Sequence, residues 1–181
     1  MGPAVPIMDL RIKLIIPSGA GLVDLPAEGW WDLWRAMPEH TRGHLRTYSI
    51  RALRRNDGDP DELDVDFVLH GHNAGPASAW AESALPGQAL WIIGPTRGDA
   101  SGVGIEFAPG AAAAARLYGD ETALPAISRV LEDWPEDLAG SADIEVPAGN
   151  SLQIDAPAHV DVRWHFRTEP EVGHGDKLYA Q

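Results

Sequence analysis

The stretch AAARLYGDETALPAISRVLEDW, residues 113–134, decides the fold of the second half of the chain. We predict a strand over Ala113–Tyr118, because Gly119 and the acidic residues after it favour a turn. The alanine run by itself favours a helix, so position before the turn outweighs propensity here. Pro125 is suited to the start of a helix. The apolar residues that follow recur at helical spacing, namely Ile127, Val130, Leu131 and Trp134.

Two more strands are predicted downstream, over Ala142–Val146 and Val160–Trp164. A strand, a helix and two further strands in this order are typical of an α/β unit. Upstream of it, Gly98–Gly110 is rich in glycine, alanine and proline, as boundaries between domains often are. The sequence therefore predicts two domains, over residues 1–100 and 111–181.

The first domain has the alternation of apolar and polar residues that half-buried β-strands require. Asn56–Pro60 supplies turn residues between two of these strands, and Pro76 predicts a short helix through Ala84. Three tryptophans in Trp30–Pro38 favour a packed loop or a short helix. The predicted strands are Asp9–Ile16, Leu45–Ala52, Leu63–His70 and Leu90–Ile93.

Composition limits the chemistry that this chain can perform by itself. With 181 residues and 44% hydrophobic content, it can build a sizeable core. It has no cysteine, which excludes disulfides, thiolate zinc sites and cysteine-ligated iron–sulfur clusters. Redox chemistry would therefore need a bound cofactor. No apolar run approaches the roughly 20 residues of a membrane span, and no secretory signal pattern is evident, so we expect a cytoplasmic protein.

The distribution of charge indicates a local anionic ligand. A net charge of −13 disfavours nucleic acid and anionic lipid as partners. Six of the 14 basic residues nevertheless fall in one short basic island, which suits a pyrophosphate or an iron chelate. A solvated strand face is the alternative reading. The island comprises Arg35, Arg42, Arg46, Arg51, Arg54 and Arg55.

Two short motifs in the first domain, Arg46-Thr47-Tyr48-Ser49 and Gly75-Pro76-Ala77-Ser78, resemble elements of the flavin-binding domains of the ferredoxin-reductase superfamily, and this resemblance implies a flavin ligand. Arg46-Thr47-Tyr48-Ser49 combines a guanidinium for a pyrophosphate, a ring to pack on the flavin and a hydroxyl for its edge. Gly75-Pro76-Ala77-Ser78 begins the predicted helix, and backbone N–H groups at a helix N-terminus attract phosphate. Both motifs also have a purely structural interpretation. The first could be an exposed arginine beside a core tyrosine, and the second could be an ordinary capped helix.

Longer stretches carry a resemblance to one family. Arg46–Ser49 matches the flavin signature of the ferredoxin-reductase superfamily. Asp66–Gly71 with Gly75–Ser78 and Trp80, and the nine residues Gly119–Ile127, resemble the corresponding segments of siderophore-interacting proteins. The resemblance implies an antiparallel Greek-key β-barrel that binds FAD, followed by a partial α/β domain for NADPH or NADH. It also implies a reductase that passes electrons from the nicotinamide through the flavin to chelated ferric iron.

The resemblance assigns site residues but no catalytic acid or base. From the basic island, Arg51, Arg54 and Arg55 are expected to contact the ferric siderophore or another ferric chelate. We predict no metal site, because a strand and its turn would splay His70 and His72 and no third ligand is evident. The expected cofactor-binding residues are Arg46, Thr47, Tyr48, Ser49, Asp66, Val68, His70, Gly75, Ala77, Ser78, Asp120, Glu121, Thr122 and Arg167.

The chain also departs from the family pattern. It begins near what resembles a middle strand, and Glu169–Gln181 lacks the expected β-α portion and aromatic tail, so both ends are interpreted as shortened. Two alternatives stay open for this reason, a non-catalytic flavin- or siderophore-binding remnant and a flavin-free interaction protein. Unpaired strand edges would also favour a homodimer.

Overall fold

A computed structural model describes residues 6–69, 75–149 and 153–167. The chain divides into two compact units. The antiparallel unit takes the described parts of residues 11–48 and 67–95, and the α/β unit takes those of residues 1–10, 49–66 and 96–181. The predicted mixed fold, with an antiparallel and a parallel part, is confirmed. The domain limits 1–100 and 111–181 remain a prediction.

The antiparallel unit is built around one buried strand. β1 (Arg11–Ile16) lies between β2 (His44–Ser49) and β5 (Trp91–Ile93), and it pairs antiparallel with β5. The apolar residues of β1 are at most 2% exposed, whereas Arg11 and Lys13 face solvent, as the predicted alternation requires. The tryptophan segment forms helix α1 (Trp30–Ala36), and α2 spans Pro76–Ser83.

The prediction of one continuous strand over Leu45–Ala52 is wrong. β2 ends at Ser49, and a separate strand β3 (Ala52–Arg54) follows. Between them the fully buried Ile50 donates its N–H to Leu10 O at 3.0 Å, and Arg51 donates its N–H to Asp64 O at 2.9 Å. The chain therefore changes its pairing partner within two residues, which alternation in one segment cannot reveal.

The strand predicted over Leu63–His70 is also shorter than expected. β4 (Glu62–Asp64) pairs antiparallel with β3, and Ala52↔Asp64 is the last pair of this hairpin. Residues 65–69 form no strand, although Val65 and Phe67 remain more buried than Asp64 and Asp66. The alternation of apolar and polar residues predicts which side chains are buried. A β-strand also needs a neighbouring strand with which its backbone can form hydrogen bonds. His70 lies outside the described residues.

The α/β unit confirms the order predicted for the second half. β6 (Ala114–Asp120), α3 (Leu124–Glu132), β7 (Ala139–Pro147) and β8 (Val160–Arg167) follow one another, and the sheet is parallel with order β6–β7–β8. The apolar face of α3 packs on alternate residues of β7. The other face of β7 buries polar side chains, including Asp143 at 2% and Glu145 at 0% exposure.

The predicted linker Gly98–Gly110 is anchored to the α/β unit. The N–H groups of Glu106 and Phe107 each donate to the carboxylate of Asp9 at 3.1 Å. The ring of Phe107 packs on Trp134, with 5.2 Å between centroids. The segment thus contributes to the core of this unit as well as connecting elements.

Candidate functional site

Arg46 on β2 presents a cation that is available for a ligand. Its side chain is exposed, and its Nη1 donates to Leu45 O at 2.9 Å. None of the described carboxylates forms an ion pair with it. Neutralising an anion there would break no ion pair among the residues that the structure describes, in keeping with the role predicted for Arg46.

Tyr48 begins a row of three aromatic rings in the antiparallel unit. Its ring lies 4.5 Å from that of Phe67, which in turn lies 5.9 Å from that of Trp80. Burial raises the pKa of Tyr48 and the nearby Arg46 opposes this rise, so the phenol is neutral at pH 7 and able to donate. Phe67 and Trp80 were not predicted as site residues, although both lie in the stretches that carry the family resemblance.

Lys13 is a second cation that the sequence reasoning missed. Its Nζ donates to Thr47 Oγ1 at 2.5 Å, across neighbouring strands β1 and β2. The signal that could have found it is its outward position in the alternating strand β1. Thr47, predicted to touch the cofactor, is exposed and holds this lysine beside the motif.

The beginning of α2 is the segment predicted to bind phosphate, and this contact stays a prediction. Gly75 is exposed and extended, Pro76 occupies the first turn, and Ala77 and Ser78 are buried. Arg46, the aromatic row and this helix N-terminus all belong to the antiparallel unit. A guanidinium that pairs with no carboxylate among the described residues and a half-buried aromatic row fit the pyrophosphate and the ring system of FAD.

Three further predicted residues have weaker support from the structure. Ser49 and Asp66 belong to the α/β unit, and the Asp66 carboxylate lies 3.7 Å from Arg51 Nε. Val68 is half-buried in the antiparallel unit. Their contacts with a cofactor stay predictions, and so does that of His70, outside the described residues.

The turn Asp120–Thr122 is held by its own side chains. Asp120 Oδ1 accepts hydrogen bonds from the N–H of Thr122 at 2.9 Å and from its Oγ1 at 2.6 Å. Gly119 permits the turn to lie close to α3, because a Cβ there would meet Ala123 Cβ at 2.6 Å. The turn is therefore ordered by contacts within the chain, and its contact with a cofactor stays a prediction.

Arg167 is brought to this turn but is held between two carboxylates. It donates from Nη1 to Glu145 Oε1 at 2.8 Å and from Nη2 to Glu121. Its side chain is 9% exposed, and the hydrogen bond with Glu121 raises its pKa. A phosphate reaching Arg167 would compete with both carboxylates, so its predicted phosphate contact is unsupported by this geometry and remains a prediction.

Four of the six arginines of the basic island fall into two groups. Arg51 makes a two-pronged ion pair with Glu132 of α3, at 3.0 and 2.5 Å, and Arg54 pairs with Glu62 and Asp64. Arg35 and Arg42 instead lie over tryptophan rings. The predicted chelate contacts Arg51 and Arg54 already have anionic partners within the chain, and Arg55 is exposed. Their role with a chelate stays a prediction.

The residues that the structure describes contain neither a cluster of metal ligands nor a membrane-spanning helix. In that part of the chain, no group of three or more His, Asp or Glu side chains is placed to hold a metal ion. None of the helices described there has the length and apolar character needed to cross a bilayer.

Comparison with known proteins gives consistent matches over both halves of the chain. The model of the siderophore-interacting FAD-binding domain matches residues 2–99, and that of the siderophore-interacting protein matches residues 112–181. Ferric vibriobactin reductase ViuB of Vibrio cholerae is 35% identical over 160 residues, covering 87% of this chain and 54% of ViuB. An uncharacterized protein of Mycobacterium tuberculosis is 35% identical over 162 residues, covering 88% of this chain and 53% of its own.

A solved structure agrees with these matches. The siderophore-interacting protein SipS of Aeromonas hydrophila superposes with a TM-score of 0.64 and 31% identity, over 94% of this chain and 58% of SipS. The chain thus spans about half the length of the curated relatives it matches.

Proposed function

The chain belongs to the siderophore-interacting protein family, and from this we propose that it is an FAD-dependent ferric-siderophore reductase using NADPH or NADH. The observation that supports the proposal most directly is Arg46, a cation without a carboxylate partner among the described residues, beside the aromatic row Tyr48, Phe67 and Trp80. ViuB, by its name, reduces a ferric siderophore. A homodimer and a cytoplasmic location stay predictions.

FAD, when bound, supplies the chemistry of accepting a hydride and releasing electrons singly. The residues of this chain would bind the FAD and orient it. Arg46 and Lys13 would offset the charge of the pyrophosphate, while the first turn of α2 offers it backbone N–H groups. The ring of Tyr48, backed by Phe67, would pack on the flavin and keep water from one side of it.

The nicotinamide cofactor would be held at the turn Asp120–Thr122. The ordered carboxylate of Asp120 and the hydroxyl of Thr122 provide hydrogen-bonding groups for ribose or amide. Reduction of the chelated iron weakens its binding by hard oxygen ligands, which would release ferrous iron.

A second candidate function is a non-catalytic flavin- or siderophore-binding module. The observation that favours it is Arg167, whose guanidinium is occupied by Glu121 and Glu145. A nicotinamide phosphate would find this cation already neutralised. Reductase activity distinguishes the two candidates.

The experiment that tests the proposal is a visible spectrum of the purified protein. The protein is incubated with FAD, freed of unbound flavin, and mixed with NADPH or NADH without oxygen. Retained flavin that bleaches, and re-oxidises on addition of a ferric siderophore, is the expected result. Retained flavin that stays oxidised with both donors would favour the binding module, and loss of all flavin would contradict the reductase and leave only a siderophore-binding module.

The role of Arg46 can be measured through flavin affinity. Replacing Arg46 with Ala removes a charged hydrogen bond worth about 1.5–3 kcal/mol, so we expect the Kd for FAD to rise roughly 10- to 100-fold. Arg116→Ala is the matched control, because Arg116 is an exposed arginine on β6 whose guanidinium donates to Tyr118. Equal FAD affinities in the two variants would contradict the assignment of Arg46.

A further inference from the structure

Strand β6 forms one edge of the parallel sheet. Among the residues that the structure describes, it pairs with β7 alone, and its other side has no neighbouring strand. Ala113 O accepts a hydrogen bond from the N–H of Ala139, so Ala113 directs its backbone towards β7. Because successive residues of a strand direct their backbone groups to opposite sides, Arg116 and Tyr118 direct theirs outward. An edge of this kind can accept another strand.

The side chains along this edge differ between the two faces of the sheet. On one face, Arg116 is exposed, Tyr118 is 51% exposed, and the guanidinium of Arg116 donates to Tyr118 Oη at 3.1 Å. On the other face, Leu117 lines a groove of about 260 Å³ together with Ile127 and Val130 of α3. The edge therefore offers a cation and an aromatic ring on one face and an apolar groove on the other.

The sequence of β6 is complementary to itself when two copies pair antiparallel about Leu117. A twofold axis at Leu117 sets Arg116 opposite the partner's Tyr118, and the outward backbone groups of these two residues then meet. A guanidinium beside a tyrosine ring is a favourable cross-strand pair, and the symmetry makes it occur twice. On the groove side, Leu117 meets the partner's Leu117, so the pairing removes apolar surface from water.

The opposite edge of the sheet, strand β8, is less suited to pairing with itself. The N–H of Ala148 donates to Arg167 O, so the even-numbered residues of β8 direct their backbone groups outward. The two antiparallel registers that overlap most of β8 have their axis at Arg163 or at Trp164. They set Arg163 opposite the partner's Arg163 or the partner's His165, whereas β6 sets a cation opposite an aromatic ring.

We propose that two copies of this chain associate through β6. The antiparallel contact joins the two three-stranded sheets into one continuous sheet, with Leu117 on the twofold axis. The groove beside Leu117 in each copy is then covered by the other copy. This interface is independent of the proposed reductase activity, because it lies in the α/β unit and uses no residue assigned to a cofactor or chelate.

The first test is the mass of the purified protein in solution with FAD present, measured by light scattering over a range of protein concentrations. A net charge of −13 opposes association, and Asp9 and Glu106 add carboxylates at the groove. The buffer therefore contains about 0.15 M salt, at which the screening length is about 8 Å. We expect the mass to approach that of a dimer as concentration rises. A monomer at every concentration would overturn the proposal.

Tyr118→Lys tests whether the dimer forms at this edge. It sets a lysine opposite the partner's Arg116, and because this like-charge pair occurs twice, we expect the Kd of the dimer to rise roughly tenfold. Combining Tyr118→Lys with Arg116→Glu should restore the dimer, since each introduced cation then faces an introduced carboxylate. A Kd that is unchanged by Tyr118→Lys would overturn the proposal.

Phe166→Lys is the matched control, because Phe166 is 41% exposed on β8 at the opposite edge. It introduces the same charge and should leave the Kd of the dimer unchanged. A rise in Kd as large as that caused by Tyr118→Lys would contradict an interface confined to β6.

A disulfide cross-link tests the register of the two strands. The chain has no cysteine, so one introduced thiol can react only with its copy in the partner. Leu117→Cys places this thiol on the axis, where opposed Cα atoms lie about 4.5 Å apart, within the range of a disulfide. Ala115→Cys is the matched control on the same face, because its two thiols would lie roughly 14 Å apart along the paired strands.

We expect mild oxidation to give a covalent dimer with Leu117→Cys and none with Ala115→Cys. Should Leu117→Cys fail to fold, Arg116→Cys combined with Tyr118→Cys places two exposed, opposed positions within the same range. A covalent dimer formed only by Ala115→Cys, or by none of these variants, would overturn the proposed pairing.

Discussion

At the residue scale, Gly43 is a position where the backbone tolerates only glycine. Its φ is +74°, and a Cβ there would clash with the carbonyl oxygen of Ile16, a backbone atom that cannot turn away. We expect Gly43→Ala to cost about 1–2 kcal/mol for the left-handed backbone and about 1–3 kcal/mol more for the clash. Urea unfolding measures the total.

Gly58 provides the matched control for this prediction. It also has a positive φ, +92°, but a Cβ there would meet nothing within 4 Å. Gly58→Ala should therefore lose only the stability, about 1–2 kcal/mol, that a left-handed backbone costs a residue other than glycine. Equal losses for the two variants would show that the contact with Ile16 is unimportant.

At the element scale, the ion pair of Arg51 and Glu132 joins the segment before β3 to helix α3. The hydrogen bond from Arg51 lowers the pKa of Glu132, so the pair stabilises the fold above the unfolded pKa of about 4.3 and loses this effect as pH falls through the lower folded value. We expect Glu132→Gln to cost about 1–3 kcal/mol at pH 7, between the values typical of surface and buried pairs.

The pH dependence separates this effect from a general loss of packing. The stability difference between the wild type and Glu132→Gln should shrink from pH 5 downward, because protonation removes the charge that the substitution removes. Glu62→Gln, which affects a pair with Arg54 that is half exposed on both sides, should change stability less than Glu132→Gln does. If the difference in unfolding free energy between the wild type and Glu132→Gln were the same at every pH, the stabilising role of the Arg51–Glu132 ion pair would be contradicted.

At the scale of the whole molecule, the hairpin β3–β4 belongs to the α/β unit although it lies early in the chain. We expect the amide of Arg51, which bonds to Asp64 O, to exchange in the same opening event as the sheet β6–β8. Leu131→Ala removes a fully buried side chain of α3 and should cost about 2–5 kcal/mol. Native-state hydrogen exchange should then show faster exchange in the hairpin and the parallel sheet together.

Leu14→Ala in β1 is the complementary variant, because Leu14 is buried in the antiparallel unit. Under conditions where parts of the protein open without complete unfolding, Leu14→Ala should accelerate hydrogen exchange in β1 and β5 more than in the hairpin. If the hairpin amides exchange faster in Leu14→Ala but at an unchanged rate in Leu131→Ala, the division into these two units is wrong.

The order of strands and helices could be predicted from local patterns because each element has its own periodicity. The alternation of β1, the helical spacing in α3 and the turn at Gly119 all depend on residues close in sequence. The motif residues Arg46 and Tyr48 could be found in the same way, since their identities and spacing lie within one strand. Family membership, too, needed only contiguous residues such as Gly119–Ile127.

Tertiary structure decided which of these groups meet. The break between β2 and β3 depends on Leu10 and Asp64, and the pairing of Arg51 with Glu132 joins residues 81 positions apart. The same holds for Arg167, which the sequence presents as a free cation and the fold places between Glu121 and Glu145. A side chain's charge is set by its chemistry, but its availability depends on neighbours that only the folded chain brings within hydrogen-bonding distance.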